Sequence, residues 1–270
     1  MEVVKSLDLL KTQDVIESTT SLSSSTCPRC GEELRYQYLD FLGERIVFRC
    51  KCEMEKEKER VLAEARQRER EHIARLFDAS KLGRRFRRCT LESFLPRPGT
   101  ERALSAVRGF LSSFPPEEGR GLLLFGPPGT GKTHLAAALA VALIEQGVSV
   151  VFEQSAELMY RFNAAYKSEE TELELVEALL RAELLVLDDF DKGKWSEKVE
   201  ERVYVILNGR YREELPTVIT TNLSPKDLAA LVGRAVFDRM EETMEFVPVL
   251  ASSFREERRR AHEREEFCEA

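Results

Sequence analysis

The sequence predicts an α/β protein in which a parallel sheet is sandwiched by helices, preceded by a small cysteine-bearing β-hairpin domain and a charged linker helix. Three observations carry that prediction. After about residue 85, short apolar runs alternate with longer helix-forming stretches. A glycine-rich loop joins one such run to one such stretch, and four of the six cysteines cluster within residues 27–52.

The chain has 270 residues, enough for one large α/β domain and a modest accessory one. Its 43% apolar content supports a sizeable core. A formal net charge of -7 excludes a protein that coats duplex DNA by bulk charge, while leaving room for a local basic channel. The longest apolar run, Leu135 to Ile144, falls far short of the ~20 residues a membrane span needs. Lys5, Asp8 and Lys11 interrupt the N-terminal stretch, so it does not read as a signal peptide. The expected location is the cytoplasm, with no membrane partner and with thiols reduced. Cysteines there are metal ligands or core residues rather than disulfides.

Residues 1–26 hold a short amphipathic stretch and then the polar run STTSLSSST, read as a flexible connection. The cysteine module follows: CPRC, nineteen intervening residues, then CKC. Gly31 suits the tight turn of a zinc knuckle. Tyr36 and Tyr38, then Ile46 and Phe48, alternate about a Leu42-Gly43 turn, which predicts a β-hairpin returning the chain to the second pair. The thiolates of Cys27, Cys30, Cys50 and Cys52 would then meet at one tetrahedral Zn²⁺, a closed structural site; the competing readings are a redox pair or unligated thiols. So short a module cannot fold on a core alone, and metal binding would supply much of its folding free energy. Residues 53–77 are nearly all helix formers, with Glu64/Arg68 and Glu71/Arg75 in favourable order. Both charge signs alternate, which reads as a solvated linker rather than a nucleic-acid footprint. The expected organisation is a zinc-binding domain over 1–52, a helical linker over 53–84 and the α/β domain over 85–270.

Within the last, GLLLF (121–125), VSVVF (148–152), LLVLD (184–188) and TVIT (217–220) read as buried strands. Helices are expected over 132–145 and about 156–166, 170–181 and 197–214. Between the first strand and the first of these helices stands Gly126, Pro127, Pro128, Gly129, Thr130, Gly131, Lys132, Thr133, a full GxxxxGK[ST] loop. Its glycines let backbone N–H groups converge on phosphates at the positive end of the following helix. Lys132 supplies a point charge for the β- and γ-phosphates of ATP, and the Thr133 hydroxyl a ligand for Mg²⁺. Downstream, four apolar residues end in Asp188 and Asp189. Asp188 is placed beside the magnesium and Asp189 where a carboxylate orients or activates water. Asn222, after Thr220 and Thr221, stands at a strand tip within reach of the γ-phosphate or the attacking water.

Residues 85–255 resemble the AAA+ ATPase domain of bacterial replicative-helicase loaders of the DnaC/DnaI type and of the related IstB-like transposition ATPases. The resemblance rests on GPPGTGKTHLA, on LLVLDDF followed by a Trp195-containing loop and a helix with NGRY, on PTVITTNLSPKDL and on GRAVFDRM. It implies a P-loop AAA+ sheet, slow and partner-stimulated ATP hydrolysis, and homo-oligomerisation when ATP is bound. Arg239 matches the arginine finger that enters a neighbouring subunit's site, Arg234 is the alternative in the same motif, and Arg255 matches the sensor 2 position. The second acid is Asp189 where a glutamate is usual in ATPases, so slow hydrolysis is expected. The implied partners are a hexameric replicative DNA helicase, contacted through the zinc domain, and single-stranded DNA. A zinc ribbon contacting nucleic acid, an IstB-type helper that binds duplex DNA and recruits a transposase, and an adaptor whose nucleotide site switches without turnover are the competing readings. His134 is read as packing, Phe86 and Phe94 as either adenine neighbours or linker packing, Trp195 as a loop anchor or DNA contact, and Arg258 to Arg260 as a solvated helix.

Overall fold

The computed structural model describes residues 24–27, 29–39, 44–47, 50–76, 83–165, 169–193, 195–256 and 259. The chain divides into two compact units, Met1–Arg68 and Glu69–Ala270. The first contains an antiparallel sheet of β1 (Ser24–Thr26), β2 (Glu33–Leu39) and β3 (Glu44–Val47), in that order. The expected hairpin is the β2–β3 pair, with Tyr36 opposite Val47 and Leu39 opposite Glu44; its Leu42-Gly43 turn lies outside the described residues. The end of the polar run read as a flexible connection is instead β1, with Ser24 opposite Arg35. Backbone pairing at a sheet edge does not require apolar side chains, so composition alone hides it.

Helix α1 (Lys51–Leu76) starts inside the cysteine module, where its first amide, Lys51 N–H, donates to Glu32 Oε2 at 2.8 Å. The unit boundary falls within this helix. Its described residues from Val61 to Arg68 are exposed, but Ile73, past the boundary, is 2% exposed and joins the α/β core. Arg70 there grips Glu183 through two N–H···O bonds of 3.1 Å.

The second unit is an all-parallel sheet of β4 (Gly121–Phe125), β5 (Val150–Gln154), β6 (Leu184–Asp188), β7 (Thr217–Thr221) and β8 (Met244–Pro248), ordered β5-β6-β7-β4-β8. Period-two alternation sends each continuous apolar run into two cores. Leu122, Leu124, Leu184, Val186 and Val218 pack on one face with α3 (Glu101–Ser112) and α4 (Lys132–Glu145). Leu123, Leu185, Leu187 and Ile219 pack on the other with α5 (Ser155–Ala165), α6 (Glu169–Arg181), α7 (Glu197–Arg212), α8 (Pro225–Val232) and α9 (Arg234–Thr243). Two differences from expectation have physical causes. β5 begins at Val150 because Val148 is consumed in the helix stop, its N–H donating to Leu143 O at 3.0 Å beside Gly147 at φ 81°. β8 was not expected: an edge strand, it alternates buried Met244 with exposed Glu245 rather than running apolar throughout. A short α2 (Gly83–Phe86) belongs to the same unit, with Phe86 packed against Cys89 and Ala137. Arg210 is 1% exposed and bonds Thr217 Oγ1 and the carbonyls of Leu179, Ala182 and Pro216, tying the end of α6 to the start of β7; burial lowers its guanidinium to about 9. Among the described residues no helix is long and apolar enough to cross a membrane.

Candidate functional site

At the carboxyl ends of the strands lies a cavity of about 550 Å³. The loop between β4 and α4 forms its floor, and backbone sterics explain the glycines. Gly126 has φ 141°, and a Cβ there would strike Val249 O. Gly131 has φ 106°, and a Cβ there would lie 2.7 Å from Phe94 Cε2. Lys132 and Thr133 open α4, with Gly131 as N-cap, so the helix's free N–H groups face the loop. Lys132 is 5% exposed and its Nζ donates to Gly126 O and Pro127 O at 2.8 Å and to Asn222 Oδ1 at 3.0 Å. Burial pulls its ammonium down to about 8. Thr130 is buried, its hydroxyl donating to Pro127 O at 3.0 Å, while Pro127 and Pro128 are exposed.

The second wall comes from β6 and β7. Asp188 is fully buried; its Oδ1 accepts from Thr220 Oγ1 at 2.6 Å, while its Oδ2 has no hydrogen-bond partner. Burial raises its pKa, opposed by the hydroxyls of Thr220 and Thr133. A buried carboxylate oxygen without a donor, beside the Thr133 hydroxyl, is the donor set a hard divalent cation takes, so these two residues fit Mg²⁺. Asp189 adopts φ 49°, its N–H held by Thr220 Oγ1 at 2.9 Å, and lines the cavity. Lys132, Thr133, Asp188, Asp189, Asn222 and Arg255 thus all border one space. Arg239 and Arg234 do not line it. Arg239 lies 4.8 Å over the Tyr211 ring and donates to Glu242 Oε2 at 2.6 Å, and Arg234 pairs with Asp238 at 2.8 Å.

The side chains left open by the sequence find clear places. His134 Nε2 lies 3.0 Å from Thr90 O and 3.3 Å from Ser93 Oγ, with its ring edge-on to Phe94 at 5.4 Å. Phe86 and Phe94 border the cavity. Trp195 stacks edge-on against buried Phe190 at 5.1 Å, anchoring the loop after β6. The Arg258–Arg260 run lies outside the described residues except for Arg259. Two polar residues escaped sequence reasoning. Arg97 donates to Thr130 O at 3.1 Å, reaches Ser252 O and lies 5.4 Å over Phe254. Asp191 accepts from Asn222 and Thr221. An acid two residues beyond an acidic pair was the available signal for Asp191; no local pattern marks Arg97.

In the first unit, Cys27, Cys30, Cys50 and Cys52 place their Sγ atoms within 4.8 Å of one another. Separations of 3.0, 3.4 and 3.7 Å link Cys50–Cys52, Cys27–Cys50 and Cys27–Cys52. Zn–S bonds of ≈ 2.3 Å in a tetrahedron imply about 3.8 Å between sulfurs, so four thiols this close fit one Zn²⁺. Gly31, at φ 69°, donates to Cys27 O at 2.9 Å, and Cys27 N–H donates to Glu32 O at 2.8 Å, closing the knuckle. The backbone amides of Cys30 and Arg29, with the Cys50 thiol, hold the Cys27 thiol down at about 6, near the thiolate a metal requires. Cys89 is buried in the α/β unit, and Cys268 lies outside the described residues.

Comparison with known proteins agrees with this geometry. Residues 51–262 match the family described as IstB-like ATP binding protein. The chain is 31% identical to the replicative helicase loader DnaC of Escherichia coli (strain K12) over 172 residues, 62% of this chain and 68% of that one. It is 38% identical over 108 residues to an insertion sequence ATP-binding protein of Sinorhizobium fredii (strain NBRC 101917 / NGR234), covering 39% of this chain and 35% of that one. The crystal structure of the DnaC helicase loader superposes with a TM-score of 0.57 at 31% identity, over 62% of this chain and 99% of that one. A parallel AAA+ sheet, a phosphate-loop strand and helix, and a family match spanning most of the sequence agree: this chain belongs to the IstB-like ATP-binding family.

Proposed function

We propose that this chain is an ATP-dependent loader of a hexameric replicative DNA helicase, helping to place it on single-stranded DNA from the cytoplasm. The observation that carries the reading is the convergence of Lys132, Thr133, Asp188, Asp189, Asn222 and Arg255 on one cavity, within a chain similar in sequence and fold to a helicase loader. In this reading the Gly126–Thr133 loop and Lys132 bind the ATP phosphates. Thr133 and Asp188 would hold Mg²⁺, which when bound would neutralise charge on the transferring phosphoryl group. Asp189, on its constrained backbone, orients the attacking water. Arg255 meets the phosphates in cis. Arg239, outside its own cavity, completes the site of a neighbouring copy, where a planar guanidinium suits charge spread over phosphoryl oxygens. ATP binding would then favour assembly, and slow, partner-stimulated hydrolysis its release. The zinc domain of residues 1–52 contacts the helicase, and the helix after it joins it to the ATPase domain.

A second reading, an ATP-dependent helper that binds duplex DNA and recruits a transposase, is favoured by the likeness to an insertion sequence ATP-binding protein. Co-purification of the full chain with its host's replicative helicase, in ATP and with or without residues 1–77, separates the two. Helicase retention that requires the N-terminal segment is expected. No retention, together with ATP-dependent binding to duplex DNA, would transfer the conclusion to the second reading.

A further inference from the structure

Asp191 lies just past β6, three residues after Asp188, in a turn closed by Lys192 N–H donating to Asp189 O at 2.8 Å. Its side chain is 6% exposed, and Thr221 at the end of β7 and Asn222 just after it supply most of its donors. Oδ1 accepts from Asn222 N–H at 2.8 Å and from Thr221 Oγ1 at 3.0 Å. Both carboxylate oxygens accept from Asn222 Nδ2, each at 3.3 Å, and Lys192 Nζ stands 3.1 Å from Oδ2. Burial alone would raise this carboxyl; the Asn222 amides, Lys192 and Thr221 outweigh it and hold it at about 2, so it is an anion at any working pH.

The consequence falls on Asn222. A primary amide can turn end for end, exchanging an acceptor for a donor pair. An ionised carboxylate only accepts, so Asp191 admits one orientation: the Asn222 NH₂ faces Asp191, and Oδ1 faces the cavity, where it accepts from Lys132 Nζ at 3.0 Å. An amide oxygen turned to the phosphates would repel their oxygens. The partners it suits are donors, the Lys132 ammonium and a water molecule.

We propose that Asp191 is a positioning residue for ATP hydrolysis, locking the Asn222 amide so that its oxygen, not its NH₂, faces Lys132 and the attacking water. This rests on the reading of Lys132 and Asn222 as parts of an ATP site. Asp191 does not line the cavity; it acts through Asn222, and it ties the turn after β6 to the tip of β7.

The test uses the full chain with single-stranded DNA and the helicase. Asp191→Asn keeps the size but replaces one of the two oxygens that accept from the Asn222 NH₂ with an NH₂ that can only donate, weakening the preference for one orientation. Affinity for a slowly hydrolysed ATP analogue is expected to stay within about threefold, while kcat falls about tenfold or more. Asn222→Ala should lose a similar factor, and the double variant should lose no more than either alone, because the two act in one chain. An unchanged thermal midpoint for Asp191→Asn separates positioning from loss of fold. Parental turnover in Asp191→Asn, multiplying losses in the double variant, or a kcat loss that only tracks a lowered midpoint would each overturn the positioning role alone. A parent chain that binds no ATP, or binds without hydrolysing it under any of these conditions, would overturn the functional reading as well.

Discussion

Among the described residues of the first unit, the buried side chains are Cys27 and Cys50. In the second unit, two apolar clusters fill both faces of a five-stranded sheet. If the four thiols hold a zinc ion, its binding would supply part of the free energy that closes the cysteine module. The α/β unit draws stability from burial, and its site is held by a scaffold that does not need it. That surplus allows it to keep Asp188 and Lys132 almost out of water, arrangements that cost folding free energy and leave a charged, pre-formed cavity.

The sharpest way to break this contrast is to replace Cys27 and Cys30 by Ser. Close to one zinc per chain should be lost, measured by metal analysis, and the N-terminal segment should become protease-sensitive. The thermal transition of the α/β unit should stay in place. Unchanged metal content would remove the ligand set, and a collapse of both units would erase the contrast. Next in size is Arg239→Ala. It touches no part of its own chain's cavity, so nucleotide affinity should persist while stimulated hydrolysis in the assembly drops about 10³-fold; lost affinity would show that Arg239 serves its own chain. The smallest effect is one of pH. In the nucleotide-free protein, burial lowers the Lys132 ammonium to about 8, below the usual lysine range. Below pH 7 the lysine is already charged and adds no pH dependence of its own to ATP affinity. Above pH 8 the free site loses the proton that phosphate requires, so the dissociation constant should rise, approaching about tenfold per pH unit. Titration calorimetry at pH 7 and 9 measures this rise, and Lys132→Ala should bind weakly at both.

Legibility differed in the same way between regions. The strands β4, β6 and β7, and the apolar start of edge strand β5, were readable because their apolar runs are continuous, and β8 was not because it alternates buried Met244 with exposed Glu245. The phosphate loop, Asp188 and Asn222 announce themselves by position after strands. The structure brings those residues together in one cavity, with Arg255. Arg97 and Asp191 carry no such mark. Each draws most of its side-chain contacts from segments 30 or more residues away, Asp191 from the tip of β7 and Arg97 from the phosphate loop and the chain after β8. The same holds for Ile73, which sits in a helix whose composition reads as solvated throughout, yet is 2% exposed.

What the amino-acid sequence determined by itself was local: the glycine-rich turn, the acids at strand ends, the cysteine spacing and the apolar periods. Each depends on neighbours within a few residues, where backbone sterics and side-chain chemistry suffice. Tertiary structure alone decided the order β5-β6-β7-β4-β8, the burial of Asp188 Oδ2 without a donor, and the grip of Asp191 on Asn222. These depend on which strand tips become neighbours, and that is set by packing two faces of one sheet at once rather than by any segment's own preference.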